Sequence, residues 1–207
     1  MAKILEHPLI EIKLTKMRDE KTCHDIFSKN LNEISSLMVY EIMRDYQPKN
    51  KSVKTPTGEI AQGSDLDKEI VIVPILRAGI GMVNGIKNLV PQARIGHIGV
   101  YRDEQTFEIH EYFYKIPSVA KDSYILVVDP MLATGASAVD SVNRLKKDGF
   151  KNIKLVCLVG APEGVKAFEG QHPDVEVYLA ALDEKLNEKK YILPGLGDAG
   201  DRIFGTK

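Results

Sequence analysis

The sequence predicts an α/β fold built on a mostly parallel sheet flanked by helices, and two patterns carry this prediction. Short, continuously apolar runs suit strands that are buried on both faces. Between them lie segments whose apolar residues recur at helical spacing. Gly149 stands where the C-terminal cap of one such helix belongs. The expected strands are 70–76, 95–101, 124–128, 153–159 and 175–181, and the expected helices are 80–89, 136–148 and 163–170.

A long helix is expected over 20–46, ahead of the first of these strands. Its apolar residues fall three or four positions apart and therefore form one face: Phe27, Leu31, Ile34, Met38 and Ile42. Pro48 and the polar run that follows it are expected to end this helix. Residues 53–68 are expected to form a hairpin or loop around Pro56-Thr57-Gly58.

Residues 107–115 break the alternation, because aromatic and polar residues are mixed there with no helical face. Together with the preceding strand, this segment is expected to form a β-ribbon that projects from the sheet. Two interpretations of its aromatic side chains stay open. They form a contact with another subunit, or they belong to an edge strand that packs on the domain's own surface.

Composition limits the classes of protein to which the chain can belong. Its 207 residues predict a single domain, 1–207, and its net charge of −1 argues against nucleic-acid binding over the whole surface. Two cysteines, Cys23 and Cys157, rule out a disulfide framework and fit a reducing cytoplasm. The longest apolar runs reach about a third of the ~20 residues that a membrane span needs. Glu6 and Glu11 interrupt the N-terminal apolar residues, so no signal peptide is expected.

The strongest local signal is the segment 124–137, in which a buried strand leads to Asp129, a short loop and a helix start. Ligands of open α/β sheets bind at the carboxyl ends of strands. The backbone N–H groups of Thr134, Gly135 and Ala136 lie at a helix N-terminus and suit a phosphate, and Thr134 and Ser137 add hydroxyl donors. Asp129 suits the hydroxyls of a sugar or a bound Mg²⁺. The alternative is a helix cap without any ligand.

This motif resembles the 5-phospho-α-D-ribose 1-diphosphate (PRPP) loop of the type I phosphoribosyltransferases. Segments 73–79, 101–102, 129–135 and 191–202 resemble the uracil phosphoribosyltransferase family in particular, and the match extends over essentially the whole chain. The resemblance implies a type I phosphoribosyltransferase-like sheet, a projecting β-arm, and a hood over the base site that is built from the two chain ends. The implied reaction transfers the phosphoribosyl group of PRPP to uracil, which gives UMP and diphosphate in pyrimidine salvage.

The resemblance also implies roles for individual residues. Arg77, Arg102 and Asp198 are the expected catalytic residues, and the two arginines hold the diphosphate. Uracil is expected to contact Gly197, Asp198 and Ala199 together with the backbone of Ile192. The expected PRPP-binding set is Arg77, Arg102, Asp129, Pro130, Met131, Leu132, Ala133, Thr134, Gly135, Ala136, Ser137 and Asp198. Mg²⁺ is the expected cofactor, held mainly by the diphosphate of the donor, with no protein side chain assigned as its ligand.

Two positions depart from patterns that are common in the wider family. Pro130 stands where many type I relatives carry a second acid after the first. The uracil enzymes share this departure from the wider pattern. Ala136 replaces the second glycine of a frequent Thr-Gly-Gly-Ser sequence, so its φ is predicted to be negative. Cys157 is expected to be a buried core thiol, and the charged run 183–190 is expected to be a solvated loop. The histidines are interpreted as structural: His7, His24, His97, His110 and His172.

Other functions remain open beside the leading one. An RNA-binding regulator on the same fold is one alternative, although RNA binding favours a basic face that the net charge does not supply. A phosphoribosyltransferase for a different base is the second. The family further implies a homodimer or a higher homo-oligomer and, in some members, activation by GTP. Neither a nucleic-acid partner nor a membrane partner is expected.

Overall fold

A computed structural model describes residues 2–102 and 109–206. The strands of its central sheet are β1 (Lys3–Ile4), β4 (Ile70–Leu76), β5 (Arg94–Ile95), β6 (His97–Arg102), β7 (Ile109–Lys115), β8 (Tyr124–Leu132), β9 (Asn152–Gly160) and β10 (Glu176–Leu182). Their order is β1-β10-β9-β8-β4-β6-β7, and β5 pairs with β4 beside this path. The pairings are parallel except for the antiparallel pair β6–β7. Two further hairpins join β2 (Lys49–Lys54) to β3 (Ile60–Asp65) and β11 (Lys185–Leu186) to β12 (Ile192–Leu193).

Helices cover both faces of the sheet and enclose two apolar cores. The helices are α1 (Pro8–Arg18), α2 (His24–Ile42), α3 (Ile80–Leu89), α4 (Ala136–Lys147), α5 (Pro162–Gln171) and α6 (Ala199–Phe204). Ile70 and Ile72 face the core formed with α1, α2 and α3, whereas Val71 and Val73 face the core formed with α4 and α5. Because successive side chains of a strand point to opposite faces, a continuous apolar run serves both cores at once.

The predicted α/β architecture is confirmed, and most of its elements lie within a residue or two of their expected bounds. Gly149 has a φ of +90° and caps α4 by donating its N–H to the carbonyl oxygen of Lys146 at 2.9 Å. Cys157 is fully buried in β9, as expected of a core thiol. In the described parts of the chain, no helix combines the length and the apolar character that crossing a membrane requires.

The expected ribbon is present as the antiparallel pair β6–β7, although residues 107 and 108 lie outside the described residues. Tyr114 packs on the protein's own surface, since its hydroxyl donates to Oδ2 of Asp148 at 2.5 Å. Tyr101, Tyr112 and Phe113 are instead exposed. The ribbon therefore has one aromatic ring bound to the domain and three that are open to solvent.

The predicted bounds of the long helix were wrong at both ends, because α2 begins only at His24. The helix expected over 20–46 is α2, which ends at Ile42 and is followed by a short 3-10 turn over Met43–Asp45. The polar run after Pro48, which was expected to end the helix, begins strand β2, whose side chains are exposed throughout. Its partner β3 is largely exposed too, and the two strands form the hairpin expected around Pro56-Thr57-Gly58, in whose turn the N–H of Gly58 donates to the carbonyl oxygen of Thr55 at 2.9 Å.

The strand expected at 124–128 was predicted too short, because β8 continues to Leu132 and includes Pro130. Pairing of β8 with β4 ends at Val128, whereas pairing with β9 continues through Leu132. Pro130 thus lies where β8 has a partner on one side only, and there a missing N–H is tolerated.

Candidate active site

A cavity of about 320 Å³ lies where β4 and β8 end, which is the edge of the sheet at which the sequence placed a ligand. It brings together three segments that are far apart in the chain. Its lining residues are Arg77, Ala78, Asp129, Met131, Ala133, Lys190, Tyr191, Ile192, Gly197, Asp198, Ala199 and Gly200. Eight of these twelve were predicted as site residues, so the expected donor and base segments do share one cavity.

The loop that carries Arg77 is fixed by a close backbone contact at Gly79. The N–H of Gly79 donates to the carbonyl oxygen of Ile75 at 2.9 Å, and the turn leads directly into α3. A Cβ at position 79 would lie 2.7 Å from both the N and the O of Ile75, so only glycine fits there. The Arg77 side chain stays exposed at the cavity, with its guanidinium 6.0 Å from the ring centroid of Phe204. An exposed guanidinium at a cavity suits an anionic ligand.

Asp129 lies on the floor of the cavity, in β8 and opposite Cys157 of β9. Burial raises the pKa of its carboxyl from 3.8 to about 7, and a long 3.5 Å hydrogen bond from the N–H of Met131 offsets this only in part. Desolvation penalises the charged form of an acid unless donors or a cation compensate. The carboxyl therefore suits sugar hydroxyls or a neighbouring metal ion.

The loop between β8 and α4 has the geometry of an anion site. Gly135 has a φ of +83° and accepts the N–H of Val139 at 2.9 Å, which begins α4. Within the described ranges, the one non-glycine residue with a positive φ is Lys190, so the predicted negative φ of Ala136 is confirmed. Thr134 and Ser137 are half-buried at this helix start. The loop therefore presents backbone N–H groups and two hydroxyls to one region.

Two members of the expected PRPP-binding set can offer a ligand little more than their backbone groups. The side chain of Leu132 is buried in the core beneath α4 and α5, and its carbonyl oxygen accepts the N–H of Ala161 at 3.0 Å. Pro130 is also buried and has no N–H to donate. Gly164 of α5 packs directly against this loop, because a Cβ there would lie 2.6 Å from the Leu132 carbonyl oxygen and would also strike that of Ala133.

The C-terminal segment forms the opposite wall. Ile192 is buried in β12, so its backbone rather than its side chain faces the cavity region. Gly197 has a φ of +76° and is exposed. Asp198 is the N-cap of α6 and accepts the N–H of Asp201 at 2.9 Å, whereas Ala199 is buried. Small residues at 197 and 199 leave backbone groups accessible to a flat ligand.

Arg18 fastens this wall to the N-terminal helices. Its guanidinium forms a bidentate ion pair with the buried carboxylate of Asp183, at 2.8 and 2.5 Å. It also donates to the carbonyl oxygen of Gly195 at 2.6 Å. Asp183 in turn accepts the N–H of Gly195 at 2.8 Å. The expectation that 183–190 is a solvated loop was thus wrong for Asp183, whose charge is buried because it is paired.

Arg202 makes a second link between the chain ends. Its guanidinium donates to the carbonyl oxygens of Leu196 at 2.9 Å and of Asp19 at 2.7 Å, and also to that of Met17. It lies 4.5 Å from the ring centroid of Phe27, and burial lowers its pKa. The glycine-rich segment that borders the cavity is therefore held from both sides by arginines of the chain ends.

Sequence reasoning missed Lys190 at this cavity. The charged run that contains it resembles a solvated surface, and only its unusual backbone conformation marks it. Tyr191, Ala78 and Gly200 were part of the segments that carried the family resemblance, without a role assigned to them. Arg102 ends β6, and its side chain is outside the part of the structure that is described.

Comparison with known proteins identifies relatives over the full length of the chain. A family model described as uracil phosphoribosyltransferase matches residues 4–206. A curated uracil phosphoribosyltransferase from Mycoplasma mobile is 72% identical over 207 residues, which is 100% of both chains. Another, from Levilactobacillus brevis, is 55% identical and covers 99% of this chain and 98% of its own.

Solved structures agree with these relatives. The AQ2163 protein from Aquifex aeolicus superposes with a TM-score of 0.94 at 38% identity, covering 100% of this chain and 99% of that one. A purine phosphoribosyltransferase from Pyrococcus horikoshii has a TM-score of 0.52 at 20% identity, covering 75% of this chain and 84% of that one. The similarity to this purine phosphoribosyltransferase supports a shared fold alone.

Proposed function

Because the chain belongs to the uracil phosphoribosyltransferase family, we infer that it transfers the phosphoribosyl group of PRPP to uracil and releases UMP and diphosphate. This is a pentosyl transfer that salvages pyrimidine. The observation that carries the proposal is the cavity in which Arg77, Asp129 and Gly197 meet, since it joins Met131 and Ala133, which lead toward the loop at the start of α4, to a wall of small residues at 197–200.

In the reaction, N1 of uracil bonds to the anomeric carbon while the bond from that carbon to diphosphate breaks. The electron pair of the broken bond leaves with diphosphate, and N1 loses its proton. Positive charge develops on the ribose and negative charge on the leaving group. We assign Arg77 and Arg102 to the diphosphate, because fixed guanidinium groups stabilise a departing anion without reorganising.

The phosphoribosyl group is proposed to bind along β8 and its loop. Thr134, Gly135, Ala136 and Ser137 suit its phosphate, because N–H and hydroxyl donors converge there. Asp129 and Asp198 suit the ribose hydroxyls. Asp198 is exposed and uses one oxygen to cap α6, which leaves its other oxygen for the ligand. Met131 and Ala133 line the floor between these groups.

Uracil is proposed to bind against the backbone of Ile192 and against Gly197, Asp198 and Ala199. A peptide edge donates to the uracil carbonyls and accepts from its N3–H. Cytosine would place an amino donor against one of these N–H groups and leave both unpaired, which a buried site rejects strongly. Residues 1–207 are proposed to form one domain, and the contacts of Arg18 and Arg202 support a hood made from both chain ends over the base.

Mg²⁺ is proposed to enter as a complex with the donor diphosphate. In the described ranges, no group of three or more His, Cys, Asp or Glu side chains could hold a metal ion. The buried carboxyl of Asp129, with its raised pKa, fits a cation or hydroxyl donor brought by the ligand. When bound, the ion neutralises charge on the leaving diphosphate.

Three further properties are proposed from the family. A homodimer or higher homo-oligomer is supported by the exposed rings of Tyr101, Tyr112 and Phe113 on the ribbon. Activation by GTP rests on the resemblance alone, and adding GTP to the turnover assay tests it. A cytoplasmic location agrees with the free thiols of Cys23 and Cys157.

Turnover with a panel of bases tests the proposed function. The protein is incubated with PRPP and Mg²⁺ and with uracil, cytosine, hypoxanthine or orotate, and nucleotide formation is measured. Turnover with uracil alone is expected. Turnover with another base instead would change the substrate, and absence of turnover by a folded protein that binds PRPP would favour the RNA-binding regulator.

A further inference from the structure

The turn between β11 and β12 holds a lysine in a backbone conformation that residues other than glycine rarely adopt. Lys190 has a φ of +66°, and it is the one non-glycine residue in the left-handed region among residues 2–102 and 109–206. The turn is closed by three hydrogen bonds: Lys190 N–H to Asn187 O at 2.9 Å, Asn187 N–H to Tyr191 O at 2.8 Å, and Tyr191 N–H to Asn187 Oδ1 at 2.9 Å. Residues held in such conformations cluster at ligand sites.

Lys190 lines the active-site cavity, where its ammonium changes the balance of charge. The other lining side chains with a basic or carboxylic acid group, among the described residues, are the cation Arg77 and the acids Asp129 and Asp198. Without Lys190, this lining would carry more acid than base. The donor and the nucleotide product both bring several negative charges, so a second cation at the wall favours them.

The position of Lys190 points to the phosphate loop rather than to the diphosphate. Leu186 of β11, in the strand before the Lys190 turn, donates its N–H to Oε1 of Glu163 in the first turn of α5 at 3.0 Å; this hydrogen bond is the main cause of the lowered pKa of Glu163, and the charge of Lys190 adds to it. The next residue, Gly164, abuts the carbonyl oxygens of Leu132 and Ala133, within the loop that leads to α4. Lys190 and Ala133 line the same cavity, so Lys190 lies at the side of the cavity where this loop begins.

We propose that Lys190 is a substrate-contacting cation that binds the ribose-attached phosphate of PRPP and of UMP at the mouth of the cavity. The inference rests on the proposed function and deepens it, since it adds a residue to the phosphate subsite. The lysine is exposed, which lets its long side chain reach a ligand that arrives from solvent.

Four variants separate the charge of Lys190 from its backbone conformation. Lys190→Ala removes the ammonium and keeps a Cβ in the left-handed region. Lys190→Gly removes both, and Lys190→Arg keeps the charge. Lys189→Ala is the matched control, because Lys189 is an exposed neighbour in the same turn and does not line the cavity.

The readouts are the KM values for PRPP and uracil and the inhibition constants of UMP and of diphosphate. K190A and K190G are each expected to raise the PRPP KM and the UMP inhibition constant about threefold to tenfold, a range that suits a partly solvated charged contact. The uracil KM and the diphosphate inhibition constant are expected to stay within about twofold, and K190R and K189A to resemble the parent. The effect should shrink as salt is raised, because the contact is exposed to solvent.

Opposite results would overturn the inference without touching the proposed function. If the parent turns over uracil but K190G behaves as K189A does, Lys190 has no contact with phosphate. A change confined to the uracil KM or to diphosphate inhibition would place the ammonium elsewhere. Should the parent be inactive, the proposed function fails, and titration calorimetry of UMP with the parent and K190A still decides the inference: equal affinities would refute it. Thermal unfolding of each variant establishes that it is folded.

Discussion

Gly164→Ala is expected to disturb PRPP binding from outside the cavity. Gly164 lies in α5 and does not line the cavity, yet the Cβ of an alanine would lie 2.6 Å from the carbonyl oxygen of Leu132. Real Cβ atoms essentially never come closer than 3.0 Å to such an atom, and the carbonyl oxygen of Ala133 is nearer still, so the loop must move by about half an ångström. Because that loop is followed directly by the residues proposed to bind the phosphate of PRPP, the proposed donor subsite is expected to move with it.

Gly170→Ala supplies the control, because Gly170 is in the same helix and a Cβ there has nothing within 4 Å. Both changes gain about 1 kcal/mol of helix propensity. Only G164A suffers overpacking, which costs about 1–3 kcal/mol. G170A is therefore expected to raise the unfolding midpoint by about 2–4 °C, and G164A to fall below G170A by roughly that amount for each kcal/mol of overpacking.

Steady-state kinetics and thermal unfolding of both variants check this reasoning. G164A is expected to raise the KM for PRPP by about tenfold, since displacements near 1 Å cost up to about 100-fold in a positioned site. The KM for uracil should change less, because the base contacts the opposite wall. A G164A variant as stable as G170A, with an unchanged PRPP KM, would refute the assigned contact between α5 and the phosphate loop.

Three further changes test other parts of the site. Asp129→Asn removes a carboxyl whose pKa of about 7 lies above its ordinary 3.8. The folding free energy of the ligand-free parent should therefore weaken as the pH rises through about 4–7, and that of the variant should weaken less. Unfolding midpoints at pH 5 and 8 measure this, and parallel profiles would contradict it. Asp183→Asn leaves Arg18 without its carboxylate and is expected to cost about 2 kcal/mol of folding free energy and to raise the uracil KM by loosening Gly195, as denaturant titration and kinetics would show. Arg77→Lys keeps the charge but loses the planar guanidinium with its paired N–H donors, so kcat is expected to fall by about tenfold to 100-fold with an unchanged unfolding midpoint. An unchanged kcat would contradict the assignment of Arg77 to the diphosphate.

The sheet and its helices were predictable because the residue types in each element match the surroundings of that element. The run 70–76 is apolar at every position, and β4 is buried between two helical layers. The hairpin β2–β3 was expected from its turn residues Pro56-Thr57-Gly58, but the start of β2 at Lys49 was not, since the side chains of β2 face solvent and carry no apolar pattern. The length of β8 was underestimated because Pro130 signals the end of a strand, unless the neighbouring strand has already stopped pairing.

The candidate site was predictable where a residue's type dictates its role. Arg77, Asp129 and Gly197 each follow or border an element at the correct edge of the sheet, and the cavity collects all three. Asp183 could not be assigned, because its burial depends on Arg18, 165 positions away in the chain. Lys190 was hidden for a related reason: its sequence neighbours are charged, and only its φ of +66° separates it from a solvated run.

A crystal structure with bound UMP tests the central claim most directly. In such a structure the uracil ring is expected to lie against the backbone of Ile192 and residues 197–199, and the phosphate is expected to lie at residues 134–137 beside the start of α4. A nucleotide bound elsewhere, for example in the hollow of about 550 Å³ between α1 and β10, would contradict the assignment of the cavity at Arg77 and Asp129 as the site of transfer.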